Sequence, residues 1–232
     1  MRSKKVLITQ SNYIPWKGYF DSILQSDVFV VYDDMQYTKR DWRNRNLIKT
    51  SNGIKWLSIP VEVKNKFSQK INETKIAEKT WNKSHLECLR QTYKNAKAYK
   101  EVISFVEEMY LTCTHHFLTE INIHFITKIN LFLGITTEII YSSEFILHEE
   151  KTQRLVDICS ELEATDYYSG PAGKTYMDES KFKEKKINIH YIDYSGYPEY
   201  EQLYGAFVHG VSILDLIFNV GSNARLHMKI FK

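Results

Sequence analysis

Apolar positions recur along this chain in two periods, and the way the two alternate predicts strands separated by helices. Lys5 to Thr9 is a short apolar run that fits a buried strand. A polar loop with Asn12 and Pro15 follows it, then Gly18 to Gln25 fits a short helix and Asp27 to Asp33 a second apolar strand. Asn46 to Thr50 and Ile54 to Ile59 flank Ser51-Asn52-Gly53, and an Asn-Gly pair between two such runs predicts a hairpin within residues 43 to 63. If Arg43 and Arg45 both lie on its first strand, a period of two puts them on one face, with Trp42, Asn44 and Asn46 on the other. Residues 64 to 80 are polar and lysine-rich with little apolar periodicity, which predicts a long loop or mobile flap.

Helical spacing takes over beyond the flap. Ser84-x-x-Glu87 has the form of a capping box, Tyr99 to Tyr110 keeps a helical texture, and Leu118, Ile121, Phe125, Ile129 and Leu133 recur close to helical spacing before Gly134. Thr136 to Tyr141 predicts a strand, Thr152 to Leu162 an amphipathic helix, Asp166 to Ser169 and Ile187 to Tyr194 further strands, and Ser212 to Phe218 a helix. Strands alternating with helices predict the α/β class. The expectation is a single compact domain over residues 1–232 with a largely parallel sheet and an attached β-hairpin. The flap of about 64–80 and a helical segment of about 81–133 are read as insertions in it.

Composition narrows the partners. Lys+Arg 31 against Asp+Glu 28 gives a formal net charge of only +3, and no stretch is basic enough for a general nucleic-acid surface. The three cysteines, Cys88, Cys113 and Cys159, stand far apart without CxxC spacing, so they read as reduced core thiols rather than disulfides or a zinc knuckle. Met1 to Lys5 leads into too few apolar residues for a signal peptide, and no later run approaches the roughly 20 needed to span a bilayer. A cytoplasmic protein without a membrane span is expected, and the sequons at Asn72 and Asn82 then carry no glycan.

The candidate chemistry clusters after the two first strands. Asp33 to Asn46 crowds Asp33, Asp34, Gln36, Tyr37, Arg40, Asp41, Trp42, Arg43, Asn44, Arg45 and Asn46 into one run. Guanidinium forks suit phosphate or carboxylate, amides add paired donors and acceptors, and aromatics supply stacking faces. That inventory suits a small, anionic, ring-containing ligand. The loop after the first strand adds Gln10, Asn12, Tyr13 and Trp16, at the strand end where open α/β sheets form their ligand crevice. The loop holds the position of the His-x-Gly-His signature of nucleotidyltransferases. Trp16 and Tyr19 stand in place of its histidines, so a nucleotide-binding loop is retained and adenylyl transfer through histidines is not. Phe20 reads as core. His115, His116 and His124 lack the spacing of a metal site, so no metal is expected. Ser169-Gly170-Pro171-Ala172-Gly173-Lys174 is misspaced for a P-loop, although its glycines permit close backbone approach to a ligand. Ser212 and Asp215 fit a helix N-cap rather than a catalytic pair.

Across nearly its whole length the chain resembles the WbqC-like family. The resemblance rests on Gln10-x-Asn12-Tyr13-x-Pro15-Trp16-x-Gly18-Tyr19-Phe20 and on Asp33-Asp34-x-Gln36-Tyr37-x-Lys39-Arg40-x-Trp42-Arg43-Asn44-Arg45-Asn46. It continues through Trp56 to Val61, His85, Ser142-Ser143-Glu144, Thr152, Tyr168-Ser169-Gly170, Tyr197-Pro198-Glu199-Tyr200 with Gln202, and Ser212 to Asn219 with Gly221. Val220 stands where a cysteine is expected in the family, so a nucleophilic role for that position does not apply. The resemblance implies bacterial surface-polysaccharide (O-antigen) biosynthesis and a nucleotide-linked amino sugar as substrate. The implied activity is N-acyl or aminoacyl transfer, glycyl transfer for example, from acyl-CoA, an acyl-carrier protein or an aminoacyl donor. Arg40, Arg43 and Arg45 would meet the diphosphate, Tyr13, Trp16 or Trp42 the base, and Asp33, Asp34 or Asp41 the sugar ammonium. Acyl transfer to an amine needs a proton acceptor, for which His85 is the leading candidate and Asp34 the competitor. Two other readings stay open: a noncatalytic protein that binds a sugar nucleotide or a carrier protein, and a nucleotidyl or activating enzyme that would need ATP and a metal.

Overall fold

The structure, a computed structural model, describes residues 3–229. In chain order its elements are β1 (Lys5–Thr9), α1 (Lys17–Leu24), β2 (Val28–Val31), β3 (Arg45–Thr50), β4 (Gly53–Ser58), α2 (Trp81–Tyr93), α3 (Tyr99–Leu111), α4 (Leu118–Leu133), β5 (Glu138–Tyr141), α5 (Lys151–Glu161), β6 (Asp166–Ser169), α6 (Glu179–Glu184), β7 (Asn188–Tyr191) and α7 (Ile213–Val220). Five strands form a parallel sheet in the order β5-β2-β1-β6-β7, and β3 and β4 form a separate antiparallel hairpin. This is the α/β architecture that the alternating periods predict.

Strand periodicity sorts the core into two layers. Val6 and Ile8 of β1 with Val28 and Val30 of β2 pack under α5 and α6, against Leu155, Ile158, Cys159 and Phe182. Leu7, Phe29 and Val31 point the other way, into a larger core built with α1, the hairpin, α2, α3, α4 and α7. Ile121, Phe125 and Ile129 of α4 are fully buried there, and each such side chain stabilises the fold by about 1.5–3 kcal/mol relative to exposure. Gly134, at φ +64, ends α4 in the left-handed conformation that glycine adopts without a Cβ penalty. Ser212 caps α7 by accepting from the Leu214 amide at 3.2 Å, as its position predicts.

Three local expectations are corrected. Of the two alternatives for the region from 64 to 80, it is the long loop and not the flap. It is a strap sewn down by backbone hydrogen bonds from Tyr37 to Gln69, Ile71 to Met35, Asn72 to Asp33 and Leu118 to Thr74, with Ile71 and Thr74 fully buried. Its lysines face outward while its backbone does the pairing, so hydropathy alone misreads it. Ser84 and Glu87 do not form a capping box, because α2 already begins at Trp81 and both lie inside the helix. Arg43 precedes β3 in a turn, so strand alternation does not pair it with Arg45.

Candidate functional site

The loop joining β1 to α1 is where the sequence begins to build a cleft. Asp33, at the end of β2, is buried, and its carboxylate accepts from the Ser11 amide (2.8 Å), the Ser11 hydroxyl (2.6 Å) and the Thr119 hydroxyl (2.6 Å). Burial raises its pKa against the lowering effect of those bonds. Asp33 thus pins the loop to the sheet and to α4, and it is not exposed to a ligand. The pinned loop is strained: Ile14, β-branched and fully buried, sits at φ +37, a conformation that costs about 1–3 kcal/mol and persists only where surroundings impose it. Beyond it, Trp16 turns outward at the start of α1, and Gly18 makes this fit, since a Cβ there would lie 2.3 Å from the indole.

The outward side of this loop lines a cavity of about 510 Å³. Its walls are Thr9, Asn12, Pro15, Trp16, Tyr19, Trp42, Arg43, Asn46, Tyr194, His209 and Gly210. Two expected segments therefore meet: Asn12 and Trp16 come from the first, Trp42, Arg43 and Asn46 from the second. The Arg43 guanidinium is held through Nη1 by the Ser11 carbonyl (3.5 Å) and the Asn12 side-chain oxygen, with Asp41 3.6 Å from Nη2. Its remaining N–H groups keep the fork geometry that suits a phosphate or carboxylate. Trp16 packs edge-on to Tyr194 at 5.3 Å, and Trp42 tilts against Trp56 at 5.3 Å. Asn46 is fastened to the Tyr13 carbonyl and the Leu47 amide. No carboxylate is among the lining residues, and the nearby Asp41 pairs with Arg43.

The third wall, carrying Tyr194, His209 and Gly210, belongs to the extended segment between β7 and α7. Tyr197 donates to Asp21 of α1 at 2.6 Å. Buried Asp215 of α7 accepts from Tyr200 (2.8 Å), Gln202 (2.7 Å) and Tyr93 (2.9 Å). Buried Lys49 of β3 donates to Gln202 and to the Gly205 and Ala206 carbonyls. The Tyr197-Pro198-Glu199-Tyr200-x-Gln202 motif is thus the anchor that holds this wall against the hairpin. Sequence reasoning missed Tyr194, His209 and Gly210, because nothing near them signals chemistry. The one usable signal is the anchoring motif between them.

Other expected site residues lie elsewhere. Tyr13 is fully buried, with its hydroxyl between Tyr110 (2.6 Å) and His85 Nδ1 (2.9 Å), so it cannot flank a ligand. His85 is packed against Trp81 and bonded to the Ser58 backbone, and burial lowers its pKa to about 4. A neutral, buried imidazole that does not line the cavity is no proton acceptor for a substrate there. Asp34 accepts from Ser142 (2.5 Å) and Asn72 (3.2 Å), tying the strap to the end of β5 rather than entering the cavity. Tyr37 and Asn44 bond each other at 2.9 Å, and Asn44 also holds the Ile59 carbonyl. Gln36 is exposed and bonded to the Phe67 carbonyl. Arg45 stacks over Trp56 at 3.9 Å and reaches back to the carbonyl of exposed Arg40, so the two arginines of the predicted pair do not converge.

Gln10 lines a second cavity, of about 410 Å³, which shares Thr9 with the first. It lies over the carboxyl ends of β1 and β6, where chain connections leave in opposite directions, β1 toward β2 and β6 toward β7. Sheet order and cavities together define a parallel α/β protein with cavities at the carboxyl edge of the sheet, where open sheets of this class leave a crevice. The chain belongs to the WbqC-like protein family, whose profile matches residues 10–227. It is similar to "Uncharacterized protein Rv1507c" of Mycobacterium tuberculosis (strain ATCC 25618 / H37Rv), 48% identical over 221 residues that cover 95% of this chain and 96% of that protein. No solved structure matches it. Among the described residues, no helix is long and apolar enough to cross a membrane.

Proposed function

We propose that this protein binds a nucleotide-linked amino sugar along the carboxyl-edge crevice and modifies it by N-acyl or aminoacyl transfer, in the setting of surface-polysaccharide assembly. The observation that carries the reading is the union of Arg43, Asn12, Trp16, Trp42 and Tyr194 in one cavity without a carboxylate. A guanidinium that lines the cavity suits the phosphates, and the aromatic walls suit the apolar faces of a sugar ring. His209 takes the place of His85 as proton acceptor. Its side chain is about half exposed, with Glu199 3.8 Å away, and imidazole is the side chain suited to proton transfer near neutral pH. In the step proposed, the sugar amine attacks the donor's acyl carbon. A C–N bond forms, the C–S or C–O bond to the carrier breaks, and the amine proton passes to His209 and on to the leaving group.

The test is calorimetry with a panel of nucleotide-linked amino sugars, followed by incubation with acyl thioesters and mass spectrometry of the sugar product. Gly210 supplies a clean control: it lines the cavity, and a Cβ there would meet nothing within 4 Å. Gly210→Leu should fold normally and abolish binding. One observation favours a second, noncatalytic reading, namely that the cavity offers no carboxylate to act as a base or to hold an ammonium. Tight binding with no acylated product from any donor would establish that reading instead.

A further inference from the structure

The second cavity has features that the reading above does not use. Its floor is apolar, made by Ile8, Leu155 and Tyr167, while Tyr32 and Tyr176 stand on its walls and Lys151 brings a cation. No carboxylate lines it. It lies at the point where strand connections diverge, the position at which open parallel sheets leave a crevice for a ligand.

Gly170 is the informative residue. Its backbone, at φ −62 and ψ 156, is one that any L-residue before a proline adopts, so conformation does not require glycine there. Packing does not require it either, because a Cβ at Gly170 would meet nothing within 4 Å. Gly173 contrasts with it: a Cβ there would lie 2.4 Å from the Ser169 hydroxyl. Gly170 lines the cavity and a Cβ there would stand in open space, so close backbone approach to a ligand is a use of glycine that remains.

We infer that this cavity receives a nucleoside phosphate, with the ring system on the apolar floor beside Tyr32 and Tyr176 and the phosphate toward Lys151. The inference rests on the function proposed above and deepens it: the nucleoside end lies over β1 and β6, and the sugar crosses Thr9 into the Arg43 cavity. The amino end of α5 is not the phosphate site, because the Glu150 carboxylate already accepts from the Thr152 and Gln153 amides. The side chain of Lys151 is the cation that counts.

The experiment is calorimetry on the full chain with ADP, GDP, CDP, UDP and dTDP, at two salt concentrations. At least one should bind, Gly170→Leu should weaken it roughly tenfold or more without changing Tm, and Lys151→Ala should weaken it and flatten its salt dependence. Tyr176→Ala, a change at an exposed ring, gives an independent loss of affinity should the leucine variant misfold. Unchanged nucleotide affinity in correctly folded Gly170→Leu, or in Tyr176→Ala should the leucine variant misfold, overturns the assignment, as does the absence of any nucleotide binding at millimolar concentration. S-butyrylpantetheine, which has no nucleoside, would also overturn it by binding in a Gly170-dependent way, as expected of an acyl-donor pocket. Should nucleotide affinity prove independent of Gly170, a hexosamine 1-phosphate whose binding is lost in Gly210→Leu would leave the function proposed above standing while this assignment falls.

Discussion

Ser11 and Tyr13 turn inward from the same loop whose Asn12 and Trp16 turn outward, and the two sides use polar groups in opposite ways. On the inner side every attractive side chain is spent on the fold. Asp33 takes three hydrogen bonds, Tyr13 bridges Tyr110 and His85, and His85 is bonded again to Ser58. On the outer side Arg43 is steadied through Nη1 by Ser11 and Asn12, with Asp41 3.6 Å from Nη2, and its guanidinium still lines the cavity. The difference teaches that residue type is a poor guide to a site. What marks one is hydrogen-bonding capacity left over after the fold has been satisfied.

The contrast can be broken first at Asp33. Asp33→Ala removes the acceptor for three buried donors and should cost about 3–5 kcal/mol of stability in urea unfolding. A loss below about 1 kcal/mol would mean that the inner network is not what holds the loop.

His85 sharpens the same comparison through pH. Its folded-state pKa of about 4 lies below the ordinary 6.5, so between these values the unfolded chain binds more protons. Stability is therefore complete above about pH 6.5 and declines as pH falls toward 4, by about 3 kcal/mol at most. His85→Gln should flatten that part of the stability curve, and an unchanged slope would place the imidazole outside the core.

The outer side should respond in function and not in stability. His209→Ala is expected to lose about 10²-fold in turnover, about 2.7 kcal/mol of barrier, with Tm preserved. Equal turnover in the variant would remove His209 from the chemistry. Smallest is Arg43→Lys, which keeps the charge and loses the fork. It should weaken sugar-nucleotide binding about tenfold, or about 1.4 kcal/mol, and wild-type affinity would show that the cation alone suffices.

The fold was largely legible because its signals are local. Lys5 to Thr9 and Asp166 to Ser169 are strands with the expected ends, and the hairpin turns through Ser51-Asn52 into Gly53. The site was legible only in part, because side-chain direction within a loop follows no period. Asn12, Trp16, Trp42, Arg43 and Asn46 reach the cavity, whereas Tyr13, Asp33 and His85, chemically as attractive, are consumed by contacts with Tyr110, Thr119 and Ser58 that are remote in sequence. Tyr194 and His209 were invisible for the same reason: their position depends on Lys49 and Asp215 holding a segment with no regular structure.

That anchored segment also sets an order of events. The sheet, the hairpin and the loop from Gln10 to Tyr19 precede it in sequence, yet the cleft lacks a wall until Tyr194 to Gly210 has docked on them. Its contacts span nearly the full chain, and contacts of such separation form late in folding. Ligand binding is then a property of the finished molecule alone, and by mass action a bound ligand protects complete chains against unfolding while leaving shortened ones as labile as before.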